Sequence, residues 1–192
     1  MENEFKELEY KYNADEIKLT DFKKLIKTMQ HKQLLEVSSW DVYYTKENDK
    51  EEFQRFRNST TNPELTKKRK VKNSNNWERI ESDLPLDPKR ITEEKVSFHV
   101  GLDGYKENFR IYKSCTIYWL DLVNFVYYIV YNENMKEVGR FVEVEINKDQ
   151  VQKLGGEEKA FEVLKEYEQK LLPLGISPQN RLKKSLFEMF VK

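Results

Sequence analysis

Glu7, Glu9 and Lys11 occupy every second position of the run Glu7-Leu8-Glu9-Tyr10-Lys11. On an extended strand, alternate side chains point to opposite faces, so the two acids and the base share one face, with Leu8 and Tyr10 on the other. The pattern returns in Phe141-Val142-Glu143-Val144-Glu145-Ile146, where Glu143 and Glu145 turn away from Val142, Val144 and Ile146. Paired carboxylates collect hard divalent cations, because oxygen ligands suit magnesium and manganese. One such strand alone would be ordinary, since antiparallel sheets often solvate one face. The weight comes from agreement among strands. Phe53-Gln54-Arg55-Phe56-Arg57 sets Arg55 and Arg57 on one face, and the basic run from Leu65 to Lys72 does the same for Thr66, Lys68 and Lys70. Arg79, Glu81 and Asp83 share a face opposite Ile80, and Lys113 alternates with Tyr112 and Ser114.

Acids and bases gathered on the inner faces of a closed sheet cannot be left unpaired, because isolated buried charges are prohibitively costly. Such an interior must be water-filled, mutually paired or occupied by ions and ligand. Basic rows clamp phosphates, Arg forks matching phosphate oxygens well. Acidic rows hold the metal that neutralises and polarises them. That equipment suits phosphoryl transfer on a polyphosphate, where positioning and electrostatics matter more than a protein nucleophile.

The elements that must position these groups follow from periodicity. Strands are expected over residues 4–12, 36–46, 53–57, 65–72, 77–83, 105–119, 125–131 and 141–146. Thr20 or Asp21 is expected to cap a helix whose stripe is Phe22, Leu25, Ile26 and Met29. Thr92 opens a stretch that fits helix and strand equally well. Residues 157–172 read as a helix with Phe161, Leu164, Tyr167 and Leu171 on one stripe, ended by Pro173, Gly175 and Pro178. A last helix, 181–191, is expected after Ser177 or Asn180. The sum is an α+β fold: an eight-stranded antiparallel β-barrel with helices packed outside, in one domain spanning 1–192.

Composition narrows the function classes. The 34 basic and 34 acidic residues give zero formal net charge, against the basic excess of a duplex-binding protein. No Gly-rich phosphate loop occurs. Cys115 is the only cysteine, so neither an internal disulfide nor a cysteine zinc cluster is expected. His31 and His99 lie far apart and read as surface or packing residues. The charged first dozen residues do not resemble a signal peptide, and no apolar run reaches the ~20 residues of a membrane helix. These features read as a soluble protein of the reducing cytoplasm.

The ordered set of motifs resembles the CYTH family, the triphosphate tunnel metalloenzymes, over residues 4–146. The family's E-x-E-x-K is matched by Glu7, Glu9 and Lys11. Its tyrosine-rich strand is matched by Asp41-Val42-Tyr43-Tyr44-Thr45-Lys46, without the aspartate that follows the tyrosines in the family. Arg55 and Arg57 match R-x-R; Thr66 and Lys68 match the basic T-x-K strand. Arg79, Glu81 and, conservatively, Asp83 match R-x-E-x-E. Lys113 matches half of K-x-R, with Cys115 where the arginine would stand. Arg110 is the nearest compensating base, although alternation puts it on the other face. Glu133 to Glu145 fit D-x-V-x-x-L-G-x-F-V-E-I-E with conservative replacements.

The resemblance implies a charged tunnel and metal-dependent attack on a triphosphate. Glu7, Glu9, Glu143 and Glu145 would bind Mg2+ or Mn2+, with Asp83 a further candidate ligand, and these four with Glu81 would form the catalytic set. Lys11, Arg55, Arg57, Lys68, Lys70, Arg79, Arg110 and Lys113 would hold the substrate. Three functions stay open. The first is hydrolysis of inorganic triphosphate, a nucleoside or thiamine triphosphate, or an RNA 5′-triphosphate end. The second is an adenylate cyclase making cyclic AMP and pyrophosphate. The third is a non-catalytic binder of nucleotide or polyphosphate.

Overall fold

A computed structural model describes residues 4–47, 49, 51–59, 62–70, 79–147 and 150–191. These form nine strands in one antiparallel sheet: β1 (Glu4–Glu7), β2 (Glu9–Asn13), β3 (Gln33–Thr45), β4 (Glu52–Asn58), β5 (Glu64–Lys70), β6 (Arg79–Pro85), β7 (Lys106–Trp119), β8 (Val123–Tyr131) and β9 (Glu137–Ile146). The order across the sheet is β1-β6-β5-β4-β3-β7-β8-β9-β2. Its two end members are consecutive halves of one run, divided at Leu8. β1 pairs with β6 and β2 with β9, so this first run closes the sheet into a barrel. At the division, the Leu8 carbonyl still accepts a hydrogen bond from the Ile146 N–H at 3.0 Å. The expected eight-stranded barrel is therefore present, its first strand counted in two parts.

Outward faces carry the main hydrophobic core. Leu8, Tyr12, Phe125, Tyr127, Val142 and Val144 meet Phe22 and Ile26 of α1 (Leu19–Ile26) and Ala160 and Leu164 of α4 (Glu157–Gln169). Each such large side chain contributes about 1.5–3 kcal/mol when fully buried. A second outer cluster packs Val42, Tyr44 and Phe56 under Val96 and Val100 of α2 (Glu93–Leu102). The undecided stretch after Thr92 is thus helix, and Thr92 caps it by accepting from the Lys95 N–H. α1 starts instead from Lys18 with no side-chain cap, so Thr20 and Asp21 lie inside its first turn rather than at its cap.

The C-terminal region corrects the sequence reading most. Instead of one helix over 181–191, Ser177 and Asn180 form a capping box around a single 3-10 turn, Pro178–Asn180. A short extended segment follows. Arg181 bridges to Tyr12, and the Leu182 N–H donates to the Lys11 carbonyl at 2.8 Å, covering part of the free edge of β2. The segment is anchored by Arg181, which pairs with the buried Glu168 of α4 and lies 3.6 Å from the centre of the Tyr10 ring. Ser185 and Glu188 then form a second capping box that starts α5 (Leu186–Phe190). Leu186 and Phe187 bury against Tyr43, Phe53 and Phe109, whose side chains face into the barrel; the Phe53 and Phe187 rings stack at 4.1 Å. The interior is therefore not charged throughout: one part is an aromatic cluster with α5 seated on it. α3 (Gln150–Lys153) is a single turn before α4.

Candidate functional site in the barrel interior

A cavity of about 720 Å³ runs into the barrel. Glu7, Glu9, Lys11, Arg55, Arg57, Lys68, Glu81, Asp83, Lys113, Cys115, Glu143 and Glu145 all line it. They converge because each is an inward position of its strand, and the cross-strand register stacks them. Glu9 stands opposite Glu145 and Lys11 opposite Glu143; Lys68 stands opposite Glu81, and Arg55 opposite Thr66.

Two expected substrate-binding residues are placed differently, and a third is described by its backbone alone. Lys70 is exposed near the end of β5. Arg110 lies on the outer face of β7, as strict alternation requires, and pairs with Glu107 at 2.7 Å and Glu93 at 2.9 Å. It does not reach the space beside Cys115. Arg79 stands opposite Glu7 in the β1–β6 register, and its side chain lies outside the described ones. Lys67 and Arg69 are exposed, and so are both histidines. Tyr44 packs in the outer cluster under α2, whereas Tyr43 lines the cavity.

Charges inside the cavity are sorted. Lys11 Nζ sits between Glu9 and Glu143, at 3.0 and 2.9 Å. Lys68 sits between Glu7, at 3.1 Å, and Glu81. Burial alone would raise the Glu7 carboxyl, but Lys68, Lys11 and Arg55 pull it down to about 2. Burial also opposes ionisation of Glu143, yet Lys11 and Lys113 hold it below its ordinary value. Glu9 and Glu145 behave oppositely. Burial and the neighbouring Glu143 push Glu9 up to about 7 despite Lys11. Burial, then Glu7, Glu9 and Glu143, push Glu145 up to about 8. Four carboxylates crowd one wall with too little positive charge among them.

The other wall is basic. Arg57 makes a two-pronged contact with Asp41, at 3.1 and 3.3 Å, and Arg55 reaches Thr66 Oγ1 at 3.1 Å and Glu64 at 3.5 Å. Asp41 is fully buried, accepts a further bond from Ser39 Oγ at 3.2 Å, and stays ionised because Arg57, Arg55 and Lys113 outweigh its burial. Lys113 Nζ lies 4.1 Å from the centre of the Tyr128 ring, and the Tyr128 hydroxyl donates to Glu143 at 2.7 Å. Cys115 also faces this wall, its thiol pushed up by burial.

Asp41, Ser39, Glu64 and Tyr128 were not picked out from the sequence as site residues. Asp41 carried a usable signal, an acid inside an aromatic and β-branched strand, where only a buried partner makes it tolerable. Among the described residues, no group of three or more acidic side chains converges into a ready-made metal site. Lys11 and Lys68 stand between the carboxylates and supply the positive charge there. The donor set nevertheless suits a hard cation: four glutamates, two of them driven toward protonation for lack of counter-charge, with Asp83 lining the same cavity.

No family model matches the chain, and neither does any curated protein. Solved structures do. The PH1012 protein of Pyrococcus horikoshii OT3 is 21% identical with a TM-score of 0.72, covering 97% of this chain and 99% of that one. A proposed adenylate cyclase of Vibrio parahaemolyticus is 16% identical with a TM-score of 0.69, covering 96% and 97%. The chain shares the antiparallel barrel fold of these structures. A chain of the Mediator head module of Schizosaccharomyces pombe also superposes, at 11% identity and a TM-score of 0.59 over 88% and 94%. At these identities the likeness is one of fold, and function must be argued from the cavity lining. Among the described residues no helix is long and apolar enough to cross a membrane.

Proposed function

We propose that the protein is a divalent-metal-dependent triphosphatase. The observation that carries this reading is the sorting of the cavity, with under-neutralised Glu9 and Glu145 facing a wall built from Arg55, Arg57 and Lys113. A metal–triphosphate complex has the complementary dipole. Held by Glu7, Glu9, Glu143 and Glu145, Mg2+ or Mn2+ would neutralise triphosphate charge and make the attacked phosphorus more electrophilic. The chain's own groups do the rest. Arg55, Arg57 and Lys113 take phosphate oxygens, and Lys11 and Lys68, released from their carboxylates, follow the incoming negative charge. Water adds to the terminal phosphorus, its proton passes to a tunnel carboxylate, and the bond to the leaving diphosphate breaks. Burial keeps the Cys115 thiol protonated, which suits a reducing cytoplasm.

Product analysis with Mg2+ or Mn2+ tests this reading, offering inorganic triphosphate, ATP and an RNA 5′-triphosphate in parallel. Orthophosphate release supports the triphosphatase. Cyclic AMP with pyrophosphate would assign the same tunnel to a cyclase, in which the 3′-hydroxyl of ATP attacks the α-phosphorus. Tight binding without turnover would leave a polyphosphate binder.

A further inference from the structure

The inner face of β7 and β8 departs from the rest of the tunnel. The other walls present Glu7, Glu9 and Lys11, Arg55 and Arg57, Lys68, Glu81 and Asp83, or Glu143 and Glu145. On β7, Lys113 is followed inward by Cys115, Ile117 and Trp119; on β8 the corresponding positions are Asn124 and Val126. Ile117 stands opposite Val126, and Trp119 opposite Asn124, so these four make one continuous patch. Trp119 keeps 45% of its surface exposed, at the rim of the cavity. Within the patch, Asn124 Oδ1 is buried with no hydrogen-bond partner among the described residues. Neither a divalent cation nor a phosphate chain has use for an indole ring flanked by two aliphatic side chains. A buried amide oxygen without a donor is costly unless a ligand supplies one. The space also exceeds what three phosphates fill, lying within the roughly 300–1,000 Å³ of pockets that take whole organic ligands.

We propose that this patch is a base-binding platform, and that the tunnel's substrate is a base-bearing 5′-triphosphate rather than inorganic triphosphate. The ring stacks on Trp119 beside Ile117 and Val126, and an amino or ring N–H donates to Asn124 Oδ1. The platform adjoins the acidic wall, since Asn124 stands opposite Glu145. The base therefore lies at the rim while the phosphates run inward towards Arg55 and Arg57. A free nucleotide and an RNA 5′ end offer the same chemistry. This inference rests on the triphosphate reading of the tunnel.

The test compares ATP, a short RNA 5′-triphosphate and inorganic triphosphate on the wild type, Trp119→Ala, Trp119→Phe and Asn124→Leu, reading KM, or Kd by calorimetry where turnover is absent. The wild type should prefer a base-bearing substrate. Trp119→Ala should raise the ratio of KM for ATP to that for inorganic triphosphate about tenfold, the scale of base–aromatic stacking. Trp119→Phe should keep most of the preference, and Asn124→Leu should raise the ratio severalfold. A matching loss with the RNA substrate would extend the platform to RNA 5′ ends, and a loss with ATP alone would assign it to free nucleotides. An unchanged ratio in Trp119→Ala, or a wild-type preference for inorganic triphosphate, would overturn the platform while leaving the triphosphate reading intact. If the wild type neither binds nor turns over any of the three, both fall together.

Discussion

Replacing Asp41 with asparagine keeps the side chain's shape and removes the negative charge beneath the basic wall. Asp41 is fully buried and receives two contacts from Arg57 and one from Ser39. Removing one member of a buried ion pair costs about 3–5 kcal/mol when the other charge is stranded. Arg57 would not be stranded, because its side chain retains 32% exposure and lines the cavity. The expected loss is therefore nearer that of a charge-assisted hydrogen bond, about 1.5–3 kcal/mol. For a chain of this size, that lowers Tm by roughly 3–12 °C. The sign with pH is fixed. Because Asp41's folded pKa is depressed, its contribution is present above the ordinary aspartate range and fades as pH falls through the folded value. Thermal melts of wild type and Asp41→Asn across pH should show a gap at neutrality that narrows in acid. Equal Tm values at neutral pH, or a gap undiminished at the lowest pH where both proteins fold, would refute the reasoning.

Other outcomes follow from the same geometry. Glu9 and Glu145, pushed up to about 7 and about 8, bind protons in the fold that the unfolded chain has already released. Stability of the metal-free protein should therefore fall as pH rises from about 4.5 to about 8, and Mg2+ should raise Tm more at about pH 8 than at about pH 6. Cys115→Arg adds a cation to the basic wall beside Lys113 and should tighten inorganic triphosphate binding about tenfold by calorimetry, the scale of one charge-assisted hydrogen bond. Arg110→Ala removes surface pairs with Glu93 and Glu107 and should cost under about 1 kcal/mol in urea denaturation, leaving turnover unchanged.

The barrel was legible because its strands carry charge at every second position, a period only an extended chain can display. The same period placed eleven of the expected site residues on one cavity wall or another. It also set Arg110 out of phase with Lys113, on the face that points away from the cavity. What the sequence concealed depends on closure. Nothing in Glu7-Leu8-Glu9 signals that pairing changes partner at Leu8. The partner of Asp41 could not be read locally, because Arg57 arrives from the neighbouring strand of the folded sheet. At the C terminus the Ser185–Glu188 capping box was readable in principle, but Ser177 and Asn180 offered a competing start and cap only a 3-10 turn. That α5 packs on the aromatic part of the barrel follows from Phe187 meeting Phe53 and Phe109, a contact no local pattern encodes.

The central claim is that the crowded carboxylates hold a cation and the opposite wall holds phosphate. Manganese titration tests it most directly, performed with and without inorganic triphosphate on the wild type and on a Glu143→Gln, Glu145→Gln double variant shown to fold by its melting curve. The account predicts saturable manganese binding that strengthens when triphosphate is present and is lost in the double variant. Manganese binding that ignores triphosphate, or that survives loss of both glutamates, would contradict it.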